Sequence, residues 1–351
     1  MDTLRDRIRR HGPVPFSTFM EEALYGSGGF YTGGGGAGRR RDFLTSPEVG
    51  PLFGAVLARA LDVWWNEAGR PDPYVVVEAG AGPGTLARAI LHAEPRCLAA
   101  LRYILVDRSE VMRASHPAET GAAGFQIGEA DEAEPVPGQG PSLASRADIP
   151  PGPAHVILAN ELLDNLPFDL FELGVTGWDE VRMGGAGPVV LGADPRVPCA
   201  SLAPDAPTGG RIAIQYEAAE WVADARQKAA RVVVFDYCTT TASMSRRPWT
   251  DWCRTYRSHR RGAGAMEEPG SQDITAEVAV DQLPRRTADR TQAEFLRAHG
   301  IEELVAAGRR YWTEHAARPD LRAVEARSRT SECEALLDPT GLGAFRVLEW
   351  Y

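Results

Sequence analysis

Residues 74–85 read Tyr-Val-Val-Val-Glu-Ala-Gly-Ala-Gly-Pro-Gly-Thr. No other stretch of the chain limits its fold as sharply. Val75, Val76 and Val77 form a β-branched run that ends in an acid, Glu78, and Gly80, Gly82 and Gly84 follow at alternate positions. An apolar run with no polar alternation is the pattern of a parallel strand covered on both faces. Glycine tolerates positive φ and carries no Cβ, so the turn into a helix over 85–92 can press its backbone against a ligand. Strand, glycine turn and helix together predict an open α/β sheet with a nucleoside-like cofactor at its carboxyl edge.

The spacing separates one cofactor from another. A dinucleotide fingerprint, G-x-G-x-x-G, needs its third glycine where this chain has Thr85, and here that glycine comes one residue early, at Gly84. A pyrophosphate at a helix N-terminus also needs no carboxylate beside it, yet Glu78 precedes the loop. An acid followed by G-x-G-x-G resembles motif I of class I S-adenosylmethionine (SAM) methyltransferases. Their ligand is a nucleoside with a sulfonium and an amino-acid tail. Asp107 closes a second strand (Tyr103-Ile-Leu-Val-Asp), where its carboxylate can accept hydrogen bonds from both ribose hydroxyls.

The formal charge of −10 disfavours a nucleic-acid partner, since phosphate binding rests on clustered Lys and Arg. The run Arg39-Arg40-Arg41 is too short to reverse this and reads as a solvated loop. Five scattered cysteines (Cys97, Cys199, Cys238, Cys253, Cys333) contain no C-x-x-C pair, so they predict reduced thiols, a cytoplasmic location and no zinc site. No apolar leader or 18-residue apolar run is present, and no membrane partner is expected.

A helix is predicted over 13–25, with Ser17 available as its cap. A glycine-rich stretch over 26–38 follows, expected to be mobile unless a ligand pins it. After Asp42-Phe-Leu-Thr-Ser-Pro47, Thr45 or Ser46 is placed to cap a long amphipathic helix over 51–68. Strands are predicted at 74–78, 103–107, weakly at 124–128, and at 155–159, with a helix near 109–115. Residues 131–153, rich in Pro, Gly and Ala, read as a surface loop. Strand-like segments at 169–173, 178–183 and 188–191 suggest an antiparallel insertion. A helix over 217–229, strands at 231–237 and 274–280, helices at 291–298 and 301–317 and a strand at 345–350 complete the pattern.

The organisation expected is a cap and lid (1–50), a cofactor-binding core (51–168), a β insertion (169–216) and the rest of the core sheet (217–351). This last part carries a substrate-region insertion at 238–290. The fold class is α/β: a doubly wound, Rossmann-like sheet with an N-terminal helical cap and a small antiparallel β insertion.

In such a sheet the site lies beyond the carboxyl ends of the strands, here Glu78 to Gly84, Asp107, Asn160-Glu161 and Asp236-Tyr237. Asn160, Glu161 and Asp164 could hold the hydrogens of a nitrogen nucleophile and aim its lone pair at a methyl group. Good alignment can account for roughly 7–11 kcal/mol of a displacement barrier. For an arginine acceptor, a carboxylate could delay proton loss until the transition state, since a guanidinium pKa is at least about 12.5. The structural alternative makes Asn160 a helix cap and Glu161 a first-turn residue. Thr45, Ser46 and Pro47 follow the glycine stretch as part of a lid over the cofactor. His259, after an aromatic and basic stretch, is either a general base or a structural histidine.

These motifs form a set. Phe19-Met-Glu-Glu-Ala-Leu-Tyr25, Gly29-Phe-Tyr31, Asp42-Phe-Leu-Thr-Ser-Pro47 and Glu78-Ala-Gly-Ala-Gly-Pro-Gly-Thr-Leu86 occur in order. Asn160-Glu-Leu-Leu-Asp-Asn-Leu-Pro167, Asp236-Tyr237, Tyr256-Arg-Ser-His259, Asp273-Ile-Thr275, Thr291-Gln-Ala-Glu-Phe-Leu296 and Phe345-Arg-Val-Leu348 continue it. The chain resembles the MidA-like SAM-dependent methyltransferases, a family that includes a mitochondrial arginine methyltransferase needed for respiratory complex I assembly. The resemblance implies the class I methyltransferase core, SAM as cofactor and S-adenosyl-L-homocysteine as product, with methyl transfer to a protein arginine. Arg41 stands where the family usually has Gly, and Cys238 where it usually has Gly after Asp-Tyr. A small-molecule acceptor and a catalytically idle, SAM-binding assembly factor therefore remain alternatives. The partners expected are a protein or small-molecule methyl acceptor and, in a homodimer, a second copy of the chain.

Overall fold

Seven strands form the central sheet: β1 (Tyr74–Ala79), β2 (Leu101–Val106), β3 (Ser142–Arg146), β4 (Ala154–Asn160), β5 (Ala229–Asp236), β6 (Ala288–Thr291) and β7 (Arg346–Trp350). In this computed structural model residues 4–33, 35, 45–128, 137–192, 197–257, 260–262, 264 and 267–351 are described. The spatial order is β6-β7-β5-β4-β1-β2-β3. Strands β1 to β5 run parallel, and β7 is antiparallel to both of its neighbours.

Side chains alternate across each strand, so the valine-rich runs feed two cores at once. Val76, Tyr103, Leu105, Val156, Leu158, Val233 and Phe235 face one core. Their neighbours Val77, Ile104, Val106, Ile157, Ala159, Val232 and Val234 face the other. The first core is covered by α2 (Pro51–Glu67), α3 (Thr85–His92), α5 (Ile301–His315) and α6 (Leu321–Leu337), and the second by α4 (Tyr216–Lys228).

A third core lies off the sheet. It joins the N-terminal helix α1 (Phe16–Tyr25) to an antiparallel sheet made by Val14–Pro15, Asp169–Leu173, Trp178–Gly184, Gly187–Gly192 and Arg211–Ile214. Phe16 stacks on Phe168 at 4.8 Å, and Trp252 and Ile274 close the far side of this core.

Several local expectations are corrected. The strand expected at 124–128 is only a bridge from Ile127 to Leu143, while the expected loop contains β3. The helix near 109–115 is one turn, Glu110–Arg113, followed by a second helix, His116–Ala122. Ser17 does not cap α1: its hydroxyl donates to Asp169 Oδ1 at 2.6 Å, and Pro15 holds the cap position. Neither Thr45 nor Ser46 caps the long helix. Glu332 of α6 reaches across instead, and its Oε2 accepts the Leu52 amide at 2.9 Å. Residues 274–280 stand outside the central sheet, as short strands Asp273–Ala276 and Val278–Ala279. Residues 26–33 form a defined turn, because Phe30 is buried and the Phe30 and Tyr31 amides donate to the Ala23 and Leu24 carbonyls. Asp42 and His259 lie outside the described residues.

Candidate active site

The glycine loop leaves β1 with Gly80, Gly82 and Gly84 all at positive φ (68°, 53° and 96°), a conformation that other residues enter only with strain. Gly84 then caps α3. A Cβ built on Gly82 would meet no atom within 4 Å, because the loop backbone faces a cavity of about 520 Å³. That volume is in the range of small-molecule sites.

Two side chains hold the loop from outside. The Gly82 amide donates to Asp107 Oδ2 at 2.9 Å, and the buried His116 lies with Nε2 2.8 Å from the Gly82 carbonyl and Nδ1 2.8 Å from Ser145 Oγ. A carbonyl can only accept, so His116 carries its proton on Nε2 and accepts from Ser145. Burial lowers its pKa, in keeping with a neutral ring. Nothing in the sequence marked this histidine.

Asp107 sits on the cavity wall and also accepts the Ser109 amide at 2.8 Å. Burial raises its pKa, and the two amide donors oppose that rise. Glu78 lines the cavity too, but one oxygen is already taken by the Tyr103 hydroxyl at 2.7 Å. Burial pushes its pKa up to about 8. Thr45, Pro47 and Glu48 also line the cavity, and the Thr85 hydroxyl donates to Glu48 at 2.7 Å. Ser46 is fully buried, and its hydroxyl turns away to Gln292.

At the inner end, β4 stops at Asn160, and Glu161 takes φ +51°. That left-handed residue prevents a helix from starting here, so the helix-cap reading of Asn160 fails. The Asn160 Nδ2 donates to Glu161 Oε1 at 3.1 Å, as does the Ser46 amide at 3.4 Å, and Asn160 Oδ1 is buried with no partner among the described residues. The short 3₁₀ turn after it, Leu163–Asn165, is held by Asp236, whose Oδ2 accepts the Leu163 and Asp164 amides at 3.0 and 3.3 Å. Asp164 Oδ2 accepts from the Tyr237 hydroxyl at 2.5 Å and from Thr275, while its Oδ1 is buried without a partner among the described residues. Asp273 Oδ1 accepts from Tyr31 at 3.0 Å and from Asn165 Nδ2 at 3.1 Å.

Four carboxyl groups therefore meet beyond the carboxyl ends of β4 and β5, and no ion pair reaches any of them among the described residues. Burial raises the pKa of all four. Glu161 rises to about 8, with the Asp164 charge adding to burial, and Asp273 rises to about 7 for the same reasons. Asp236 is pushed well above the usual carboxylate range by burial, Asp164 and Glu161. Asp164 is also raised by burial, against hydrogen bonds from Thr275 and Tyr237.

Residues 56–299 match a family model of S-adenosyl-L-methionine-dependent methyltransferases. The chain belongs to this family. A superfamily member from Burkholderia thailandensis, crystallised with S-adenosyl-homocysteine, superposes on this methyltransferase with a TM-score of 0.77 at 26% identity, over 99% of this chain and 90% of that one. Among curated relatives, the mitochondrial protein arginine methyltransferase NDUFAF7 homolog of Drosophila melanogaster is 26% identical, over 78% of this chain and 67% of its own. NDUFAF7 of Danio rerio, also named a mitochondrial protein arginine methyltransferase, is 26% identical over 86% of this chain and 76% of its own. This methyltransferase uses SAM, and the open cradle at Gly82 suits a nucleoside that must lie against bare backbone. No helix among the described residues is long and apolar enough to cross a membrane.

Proposed function

We propose that this methyltransferase transfers the methyl group of SAM to a guanidinium nitrogen of an arginine in a protein acceptor. The observation that carries the proposal is a carboxyl set, buried Asp164, Asp236 and Asp273 with half-buried Glu161, that has no cation paired to it among the described residues. Burial and mutual repulsion favour the protonated form of these groups, and a bound cation would favour the ionised form. A guanidinium supplies that cation together with planar donors suited to carboxylate oxygens. Asn160 Oδ1 and Asp164 Oδ1, both buried and unbonded among the described residues, are acceptors ready for such donors.

In this reading Asp107 takes the ribose hydroxyls, Gly80 and Gly82 give the cofactor close backbone contact, Gly84 turns the loop into α3, and Glu78 stands beside the amino-acid tail. Thr45 and Pro47 complete the cavity wall, and Ser46 supports it from behind through its amide to Glu161 and its hydroxyl to Gln292. Asn160, Glu161 and Asp164 orient the acceptor nitrogen. Its lone pair forms the N–C bond as the C–S bond breaks, and sulfur keeps the electron pair as S-adenosyl-L-homocysteine. The proton released from nitrogen passes to Glu161, whose raised pKa suits it to hold a proton near neutrality. The names of the relatives agree with an arginine acceptor. Those names place the relatives in mitochondria, and the five free cysteines here suit a reducing compartment.

The test is a tritiated-SAM assay on lysate from a strain lacking this protein, with wild type and Glu161→Gln compared. Label entering protein with wild type and greatly reduced with Glu161→Gln is expected. Equal labelling by both removes Glu161 from the reaction.

A further inference from the structure

The tyrosine that ends the Gly29-Phe-Tyr31 motif occupies a place that neither the cofactor nor the acceptor role explains alone. Tyr31 lines the cofactor cavity, and its hydroxyl lies 3.0 Å from Asp273 Oδ1 and 3.1 Å from Asn165 Oδ1. A hydroxyl has one proton, so it bridges two acceptors. Asn165 Nδ2 donates into the same Asp273 oxygen at 3.1 Å and also to the Ile274 carbonyl at 3.1 Å. The orientation of Asp273 is thus set jointly by Tyr31 and Asn165.

The other end of Tyr31 is tied to the cofactor side. Its carbonyl accepts from Ser109 Oγ at 2.9 Å, and the Ser109 amide donates to Asp107 Oδ1 at 2.8 Å. The ring stacks on Tyr25 at 5.4 Å, and Arg108, adjacent to Asp107, lies 3.9 Å over the Tyr25 ring while pairing with Glu21. A continuous chain of contacts runs from Asp107 through Ser109 and Tyr31 to Asp273. It spans the cavity wall between the ribose carboxylate and the acceptor carboxylates.

We propose that Tyr31 is a positioning residue for the methyl acceptor, and that through Ser109 it ties acceptor alignment to the cofactor side of the cavity. The inference rests on the acceptor reading given above. Tyr31 acts through Asp273, one carboxyl of the set that receives the acceptor guanidinium. Removing its hydroxyl leaves the ring stacking intact and frees Asp273 from one of its two side-chain donors.

The experiment uses the full chain as wild type, Tyr31→Phe and Ser109→Ala. Affinity for S-adenosylhomocysteine is measured by calorimetry, and initial rates of tritium transfer from SAM into the lysate acceptor are measured against SAM and against lysate concentration. For Tyr31→Phe we expect unchanged S-adenosylhomocysteine affinity, an unchanged KM for SAM, and transfer at dilute acceptor reduced about 10- to 100-fold, the range for losing a hydrogen bond to a charged group. Ser109→Ala should lower transfer at dilute acceptor in the same direction, by a smaller factor. Wild-type transfer rates in Tyr31→Phe overturn the inference, as does a loss confined to cofactor affinity. No transfer by wild type overturns the acceptor reading instead, so the two failures are distinguishable.

Discussion

The amide of Gly82 donates to Asp107 Oδ2 at 2.9 Å, so the glycine loop after β1 is fastened to the carboxylate that ends β2. One interaction joins two segments of the cofactor-cavity lining. It also leaves Asp107 with lone pairs for ribose hydroxyls, since each oxygen accepts only one backbone amide.

Asp107→Ala should therefore weaken S-adenosylhomocysteine binding by about 1–3 kcal/mol, or roughly 5- to 150-fold, through lost charge-assisted hydrogen bonds. Calorimetry checks this. An unchanged dissociation constant would remove Asp107 from the ribose site.

Gly82→Val combines two effects: φ +53° costs a branched residue about 1–3 kcal/mol, and the new side chain projects into open cavity space. Binding of S-adenosylhomocysteine should be lost while cooperative unfolding is retained at a lower midpoint. Retained micromolar affinity would show that the cofactor lies elsewhere.

Glu161 gives a signed dependence on pH. Its pKa is raised from 4.5 to about 8 in the folded chain, chiefly by burial. Below the lower value both states hold the proton, and the favourable contribution is complete. As pH rises towards the upper value the unfolded chain ionises first, so stability falls. Unliganded wild type should lose stability across that window, and Glu161→Gln should show a shallower decline in denaturant midpoints. Parallel profiles would mean that Glu161 ionises normally.

Glu332 tests the long-range cap. Glu332→Ala leaves the Leu52 amide without its partner and should cost about 0.5–2 kcal/mol, as other cap removals do. Glu332 lies outside the cavity wall, so S-adenosylhomocysteine affinity should be kept. Loss of that affinity would assign Glu332 a role in shaping the site.

Much of this was legible in the sequence because it is local. The β1 valines, the three glycines and α3 lie within twenty residues, and apolar patterning with glycine punctuation defines them without any distant contact. What escaped depends on distance or on edges. Strand β3 has only Leu143 and Ala144 buried, because it pairs on one side alone, and its polar residues read as loop. The helix cap weighed as the alternative role of Asn160 is excluded by the positive φ of Glu161, which no residue-type rule anticipates. Asp273 joins the carboxylate set through partners 108 and 242 residues away, and Glu332 caps a helix 280 residues upstream. The Asp273 pairings exist only once the third core has brought the N-terminal helix against Trp252 and Ile274, and the Glu332 cap only once the first core has brought α6 against α2.

The central claim is the chemistry of the acceptor. It is tested most directly by hydrolysing the tritium-labelled product to amino acids and identifying the labelled species by chromatography and mass spectrometry. The account predicts label in methylated arginine, with little formed by Glu161→Gln. Label in methyl-lysine, in a carboxyl ester or in a small molecule would contradict it.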